Sequence, residues 1–291
     1  MLPTELMQKV RRLELRTSHI VEDLLSGQYH SAFKGRGVEF EEVRPYYEGD
    51  DVRAIDWKVT ARIGAPHVKL FREERELTVH LLVDLSASLS FGTQTQTKRE
   101  LVSELGALLA FAAIRNNDKV GLTLFTDQIE TYVPPKKGRR HGLRVIRELI
   151  NCEPQSQQTR IDLGLEHLGK IARRRAVVFL ISDFLDSGIE QTLRIARRRH
   201  DVIPIIIRDL REDELPNMGW VEFQDLERGH VISVDTSSRR VRHAFASRIH
   251  HFDQQRENMF RRMRLDWITL NTGADIVEPL RAFFAARNLR S

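Results

Sequence analysis

The chain has 291 residues, of which 41% are hydrophobic and 30% charged, with 9 prolines and a net charge of +5. That composition excludes a disordered or collagen-like chain, and the length predicts one large α/β domain with an accessory part or two modest domains. One cysteine, Cys152, allows no disulfide within the chain and no cysteine-based zinc cluster, and such usage fits a reducing compartment.

Residues 4–26 read as a helix, with Leu6, Val10, Leu13, Ile20, Leu24 and Leu25 three, four or seven apart and Gly27 as a stop. The start shows no basic segment followed by an apolar run, so no secretory signal is expected. Residues 30–76 change character: Gly35, Gly37, Gly49, Gly64 and short extended pieces at 38–43 and 67–71 predict irregular β structure, not a helix. From Leu77 onward, β-branched runs alternate with helix-length amphipathic segments. Candidate core strands are 78–83, 120–125, 177–181, 202–207 and 267–270, with 130–133 as an edge hairpin partner. Candidate helices are 98–115, 142–150, 162–173, 189–198, 237–263 and 277–287. Apolar strands separated by helices indicate an α/β fold built on a doubly wound, mostly parallel sheet. The expected division is 1–76, a helix and a β region, and 77–291, the main domain. A hairpin from 222–224 and 230–235, within an insertion at about 210–236, is expected to join the β pieces of 35–72 in one accessory sheet.

The longest uncharged apolar stretch, 105–114, is half of what a membrane span requires. No membrane span is therefore expected, and a cytoplasmic location is. The charge lies unevenly: residues 1–76 carry 13 basic and 14 acidic side chains, and 77–291 carry 33 and 27. Runs such as Arg173-Arg174-Arg175 and Arg197-Arg198-Arg199 fall at predicted helix ends, where cations offset the C-terminal dipole. No aromatic residues interleave with them, which argues against nucleic acid as the partner. The eleven histidines include no His-Glu-x-x-His and read as solvated or helix-face residues.

In an open α/β sheet, ligands sit at the carboxyl ends of the strands. The first core strand runs into Asp84-Leu85-Ser86-Ala87-Ser88, three oxygen-bearing side chains two apart. Thr159, just before a predicted helix, and Asp183, at the end of the strand from Val177, belong at the same mouth. Two carboxylates and three hydroxyls are hard oxygen donors suited to Mg2+ or Mn2+, with an open position for a partner's carboxylate. The same side chains also have a simpler use, since Ser, Thr and Asp favour helix caps and strand ends without any metal.

This pattern resembles the metal-ion-dependent adhesion site of von Willebrand factor type A domains, whose Asp-x-Ser-x-Ser, later Thr and later Asp match Asp84, Ser86, Ser88, Thr159 and Asp183. A second set of residues resembles the signature of the domain-of-unknown-function 58 family. It comprises Gly37-Val38-Glu39-Phe40, Arg44-Pro45-Tyr46-Tyr47-Glu48-Gly49-Asp50-Asp51-Val52-Arg53-Ala54-Ile55-Asp56-Trp57 and Thr60-Ala61-Arg62. The resemblance implies a non-enzymatic protein-binding module that acts with a MoxR-type AAA+ ATPase on a client protein in assembly or maturation. The membrane helices of longer family members have no counterpart in this sequence. Physically the signature reads as scaffolding: Gly49-Asp50 as a turn, Trp57 as a large anchor, and Arg44, Arg53 and Arg62 paired with Asp50, Asp51 and Asp56.

The enzymatic alternative is a divalent-metal-dependent phosphatase or nuclease using Asp84 and Asp183. A haloacid-dehalogenase-type phosphatase needs a second Asp where Ser86 stands. Neither Ser86 nor Ser88 is framed by glycines as in a serine hydrolase, and the phosphate-binding loop of nucleotide hydrolases is missing.

Overall fold

A computed structural model describes Leu13 and residues 39–72, 77–93, 96–186, 188–224 and 229–290. Apart from Leu13, the helix expected over 4–26 lies outside the described residues, as do Gly35 and Gly37. Two compact units are present, one within Phe33–Leu77 and one within Thr78–Ser291.

In the first unit, strand β1 (Glu39–Pro45), helix α1 (Trp57–Ile63) and strand β2 (His67–Arg72) follow one another. β1 and β2 pair antiparallel, from Glu39 opposite Arg72 to Pro45 opposite His67. The helix corrects the expectation of β structure alone. Asp56 caps it by accepting from the Lys58 and Val59 amides at 3.0 and 3.3 Å, and Gly64 ends it in the left-handed region at φ 80°. Of the three expected Arg–Asp pairs, Arg44–Asp50 is present, as a fork of two 2.7 Å bonds. Asp51 instead caps a short 3-10 turn, Asp56 pairs with Lys69 at 3.4 Å, and Arg53 and Arg62 are exposed. Trp57 is not an anchor: it opens α1 with 67% of its surface exposed.

The second unit runs β3 (Thr78–Asp84), α2 (Lys98–Arg115), β4 (Lys119–Phe125), β5 (Ile129–Lys136), α3 (Arg139–Asn151), α4 (Ile161–Ile171), β6 (Val177–Ser182), α5 (Glu190–Arg199) and β7 (Asp201–Arg208). It continues through β8 (Trp220–Gln224), β9 (Val231–Asp235), α6 (Arg239–Arg262), β10 (Ile268–Asn271) and α7 (Val277–Asn288). Six strands form one sheet in the order β10-β7-β6-β3-β4-β5, parallel except for β5, which returns antiparallel to β4. The predicted doubly wound architecture is therefore present. Among the described residues β8 and β9 form a two-stranded sheet of their own, as β1 and β2 do, instead of the expected joint accessory sheet.

Burial on both faces explains the near-continuous apolar strands. Leu82, Val178, Leu180, Val202 and Ile206 pack with Ile161, Leu165 and Leu168 of α4, Leu193 of α5 and Phe260 of α6. The alternate residues Leu81, Val83, Phe179 and Ile181 are equally buried. Against β4 and β7 lies α2, buried along Leu101–Leu105 and Ala107–Ala110, so it is apolar nearly all round. Two histidines correct their solvated reading: His80 is buried on β3, its Nε2 2.8 Å from Thr123 Oγ1, and His200 is buried ahead of β7. Burial holds His80 in its neutral form, with a pKa down to about 3.

The entry to α2 is tightly made. Thr97 and Glu100 form a capping box, and the Lys98 amide donates to the Phe91 carbonyl at 2.9 Å. A methyl group on Gly92 would lie 2.5 Å from Thr97 Cα and 2.8 Å from the Gln96 carbonyl oxygen, both backbone atoms that cannot swing aside. Gly92→Ala is expected to cost about 1–3 kcal/mol by overpacking, read from the urea midpoint. An unchanged midpoint would show that this loop yields freely.

Candidate metal centre

The order of strands places a topological switch between β3 and β6, because the chain leaves β3 for β4 on one side and returns at β6 on the other. Ligand crevices form at such points, beyond the carboxyl ends of the strands. Asp84 is the last residue of β3, and Asp183 follows the last residue of β6.

Asp84 is fully buried and held at both oxygens: Oδ1 accepts from the Ser86 amide at 2.8 Å and Oδ2 from the Ser182 hydroxyl at 2.7 Å. The turn that this creates carries Ser86 and Ser88, whose hydroxyl oxygens are 3.0 Å apart. The Thr159 loop is brought alongside by its backbone, where the Ala87 amide donates to the Gln157 carbonyl at 3.0 Å and the Arg160 amide to Thr126 at 3.2 Å. Thr159 itself is half-buried. Its neighbour Ser156 accepts from the Gln158 amide at 3.4 Å, so that hydroxyl serves its own loop.

Asp183 has a different environment. Its Oδ2 accepts from Lys98 Nζ at 2.9 Å, and the same ammonium donates to Glu212 Oε1 at 2.6 Å. Lys98 is completely buried, Asp183 nearly so, and Glu212 partly. Burial works against the ammonium, but Asp183 and Glu212 outweigh it and keep Lys98 charged, with its pKa above the ordinary lysine value. Asp84 has no cationic side chain beside it among the described residues. Burial first, and the charge of Asp183 second, push its carboxyl up to about 7.

A divalent cation fits these residues on two grounds. Adjacent ligands of an octahedral magnesium ion with bonds of about 2.1 Å stand roughly 3 Å apart, which is the separation of the two serine hydroxyls. The excess negative charge at Asp84 is also what such an ion would neutralise. The donors are hard oxygens; among the described residues no three His, Cys, Asp or Glu side chains gather into a group that could hold a metal ion, so the hydroxyls would have to complete the shell.

Four participants escaped the sequence reading: Ser182, Lys98, Asp209 and Glu212. Asp209 carried a usable signal, since it directly follows β7 at the same end of the sheet. Lys98 carried none, because the first residue of a helix is ordinarily a solvated place for lysine.

Several known proteins are similar to this chain. The family described as protein of unknown function DUF58 matches residues 42–256. The "Uncharacterized protein Rv1480" of Mycobacterium tuberculosis is 34% identical, over 97% of this chain and 90% of its own length. The "Uncharacterized protein YeaD" of Bacillus subtilis is 26% identical, over 67% of this chain and 46% of its own. Among solved structures, the conserved hypothetical protein BatB from Bacteroides thetaiotaomicron covers 74% of this chain and 99% of its own, at 14% identity and a TM-score of 0.46. The SpRpn10 VWA domain covers 70% and 93%, at 13% identity and a TM-score of 0.37. Among the described residues no helix is long and apolar enough to cross a membrane. With most of its length matched by the family and a relative at 34% identity along nearly all of it, the chain belongs to the DUF58 family.

Proposed function

We propose that the protein is a non-enzymatic, divalent-cation-dependent protein-binding module. In this reading Asp84, Ser86 and Ser88 hold Mg2+ or Mn2+, Thr159 and Asp183 complete the shell, and a carboxylate of a partner takes the remaining position. The observation that carries the reading is two hydroxyl oxygens 3.0 Å apart on the turn that follows a fully buried carboxylate at the switch point of the sheet. A bound ion supplies positive charge that a partner's Asp or Glu can meet directly. The partner class is a MoxR-type AAA+ ATPase and its client, on the strength of the signature around Gly49–Trp57 together with the adhesion-site residues downstream.

Capture of such an ATPase by the immobilised protein tests this reading. Capture is expected with magnesium and is expected to fall at least tenfold with EDTA or with the double change Ser86→Ala, Ser88→Ala. Capture indifferent to both would overturn the cation-dependent reading. Metal-dependent phosphatase or nuclease turnover that vanishes in Asp84→Ala would replace it with the hydrolase reading.

A further inference from the structure

We propose that Lys98 is a built-in cation that sets the metal affinity of this centre by competing for Asp183. The inference rests on the metal reading of Asp84, Ser86 and Ser88 and goes one step beyond it, to a residue that no feature of the adhesion-site pattern includes.

A lysine side chain with no exposed surface is unusual, because desolvation of an ammonium is costly unless the charge is matched. Here the match is double. Nζ lies 2.9 Å from Asp183 Oδ2 and 2.6 Å from Glu212 Oε1. The other oxygen of Asp183, Oδ1, accepts from the Leu185 amide at 3.3 Å. Asp183 therefore already has a cation and an amide donor on its two oxygens, whereas Asp84 has hydrogen bonds but, among the described residues, no cation. A divalent ion arriving at Asp84 meets one free carboxylate charge instead of two, and the positive charge of Lys98 opposes it.

Glu212 makes this opposition adjustable. It is anchored independently of Lys98, since its Oε2 accepts from the Asp209 amide at 3.0 Å in a second capping box. Lys98 is thus shared between a carboxylate of the candidate metal shell and one that belongs to the turn after β7. Leaning toward Glu212 releases Asp183 to the ion; leaning toward Asp183 withholds it. Lys98 acts through Asp183, as a positioning residue.

The test measures Mg2+ and Mn2+ affinity by calorimetry, and thermal stability with and without metal, for the full chain and for Lys98→Met, Lys98→Arg and Glu212→Gln. Lys98→Met is expected to bind either ion at least tenfold more tightly while melting at a lower temperature without metal, the loss being recovered when metal is added. Lys98→Arg, which keeps the charge, is expected to stay within threefold of the parent. Glu212→Gln, partly exposed and therefore tolerant, keeps the measurement open if Lys98→Met does not fold. It leaves Lys98 wholly on Asp183 and is expected to bind metal several-fold more weakly. A lysine with a merely structural role would lower stability and leave both affinities unchanged; that result, with metal still binding the parent, overturns the proposal and spares the metal reading. Absence of metal binding in the parent and in Lys98→Met overturns both.

Discussion

Asp84→Asn is expected to raise the melting temperature of the metal-free protein by about 5–10 °C at pH 8 while abolishing the stabilisation that magnesium gives the parent. The carboxyl of Asp84 ordinarily titrates at 3.8 and in the folded protein is pushed up to about 7, by burial first and by Asp183 second. A folded pKa above the unfolded one means that the protonated form is preferred by the fold. The cost is absent below the unfolded value, grows as pH rises from 3.8 toward 7, and is complete above it. At roughly 1.4 kcal/mol per pKa unit the full cost is about 2–4 kcal/mol after relaxation, and each kcal/mol moves the midpoint of a chain this long by about 2–4 °C.

The amide in place of the carboxylate keeps the shape, and its oxygen still accepts from the Ser86 amide, but it carries no charge for an ion to meet. Magnesium at one hundred times its dissociation constant adds about 2.7 kcal/mol to the parent and none to the variant. The two melting curves should therefore approach one another as magnesium is added at pH 8, and as pH is lowered toward 4 without it. A metal-free variant that melts below the parent at pH 8 would falsify the account of Asp84 as a strained carboxylate.

The sheet and its helices were legible because the pattern is local. β3 and β4 are seven-residue strands rich in Val and Leu, and α2 begins at the capping box of Thr97 and Glu100, within the reach of sequence reasoning. The Asp84-x-Ser-x-Ser turn is local too, with both serines within four residues of the carboxylate. What stayed hidden is what the fold brings together from far apart. Ser182 reaches Asp84 across 98 positions, Lys98 reaches Asp183 across 85 and Glu212 across 114. No periodicity encodes such a meeting, and a lysine opening a helix has the same appearance whether water or two carboxylates receive it. α1 was missed for the opposite reason, since β-branched Val59, Thr60 and Ile63 weaken its helical signal while the cap at Asp56 and the stop at Gly64 carry it. Trp57 shows the limit of composition: a large aromatic residue is ordinarily buried, yet as the first residue of this short helix it faces outward.

Asp209→Ala is expected to destabilise the protein by about 3 kcal/mol or more, and Asp209→Asn by about 2 kcal/mol at pH 7. Asp209 is completely buried, and its two oxygens accept four hydrogen bonds: the Thr93 amide at 2.9 Å, the Thr93 hydroxyl, the Arg211 amide at 2.9 Å and the Thr272 hydroxyl at 2.6 Å. One carboxylate thus joins the segment after β3, the turn after β7 and the residue after β10. Burial alone would raise its pKa; the hydroxyl and amide donors outweigh burial and bring it to about 2. Since the folded value lies below the unfolded 3.8, this stabilisation is fully present above 3.8 and is lost as pH falls through about 2. The gap between the parent and Asp209→Asn in urea denaturation should therefore be widest at neutral pH and shrink below pH 4. Truncation to alanine also removes the side-chain half of the capping box, while the Asp209 backbone amide that holds Glu212 Oε2 stays in place. A stability change under about 0.5 kcal/mol, within the range of ordinary surface substitutions, would mean that the three segments are held together by the surrounding apolar packing and not by this carboxylate.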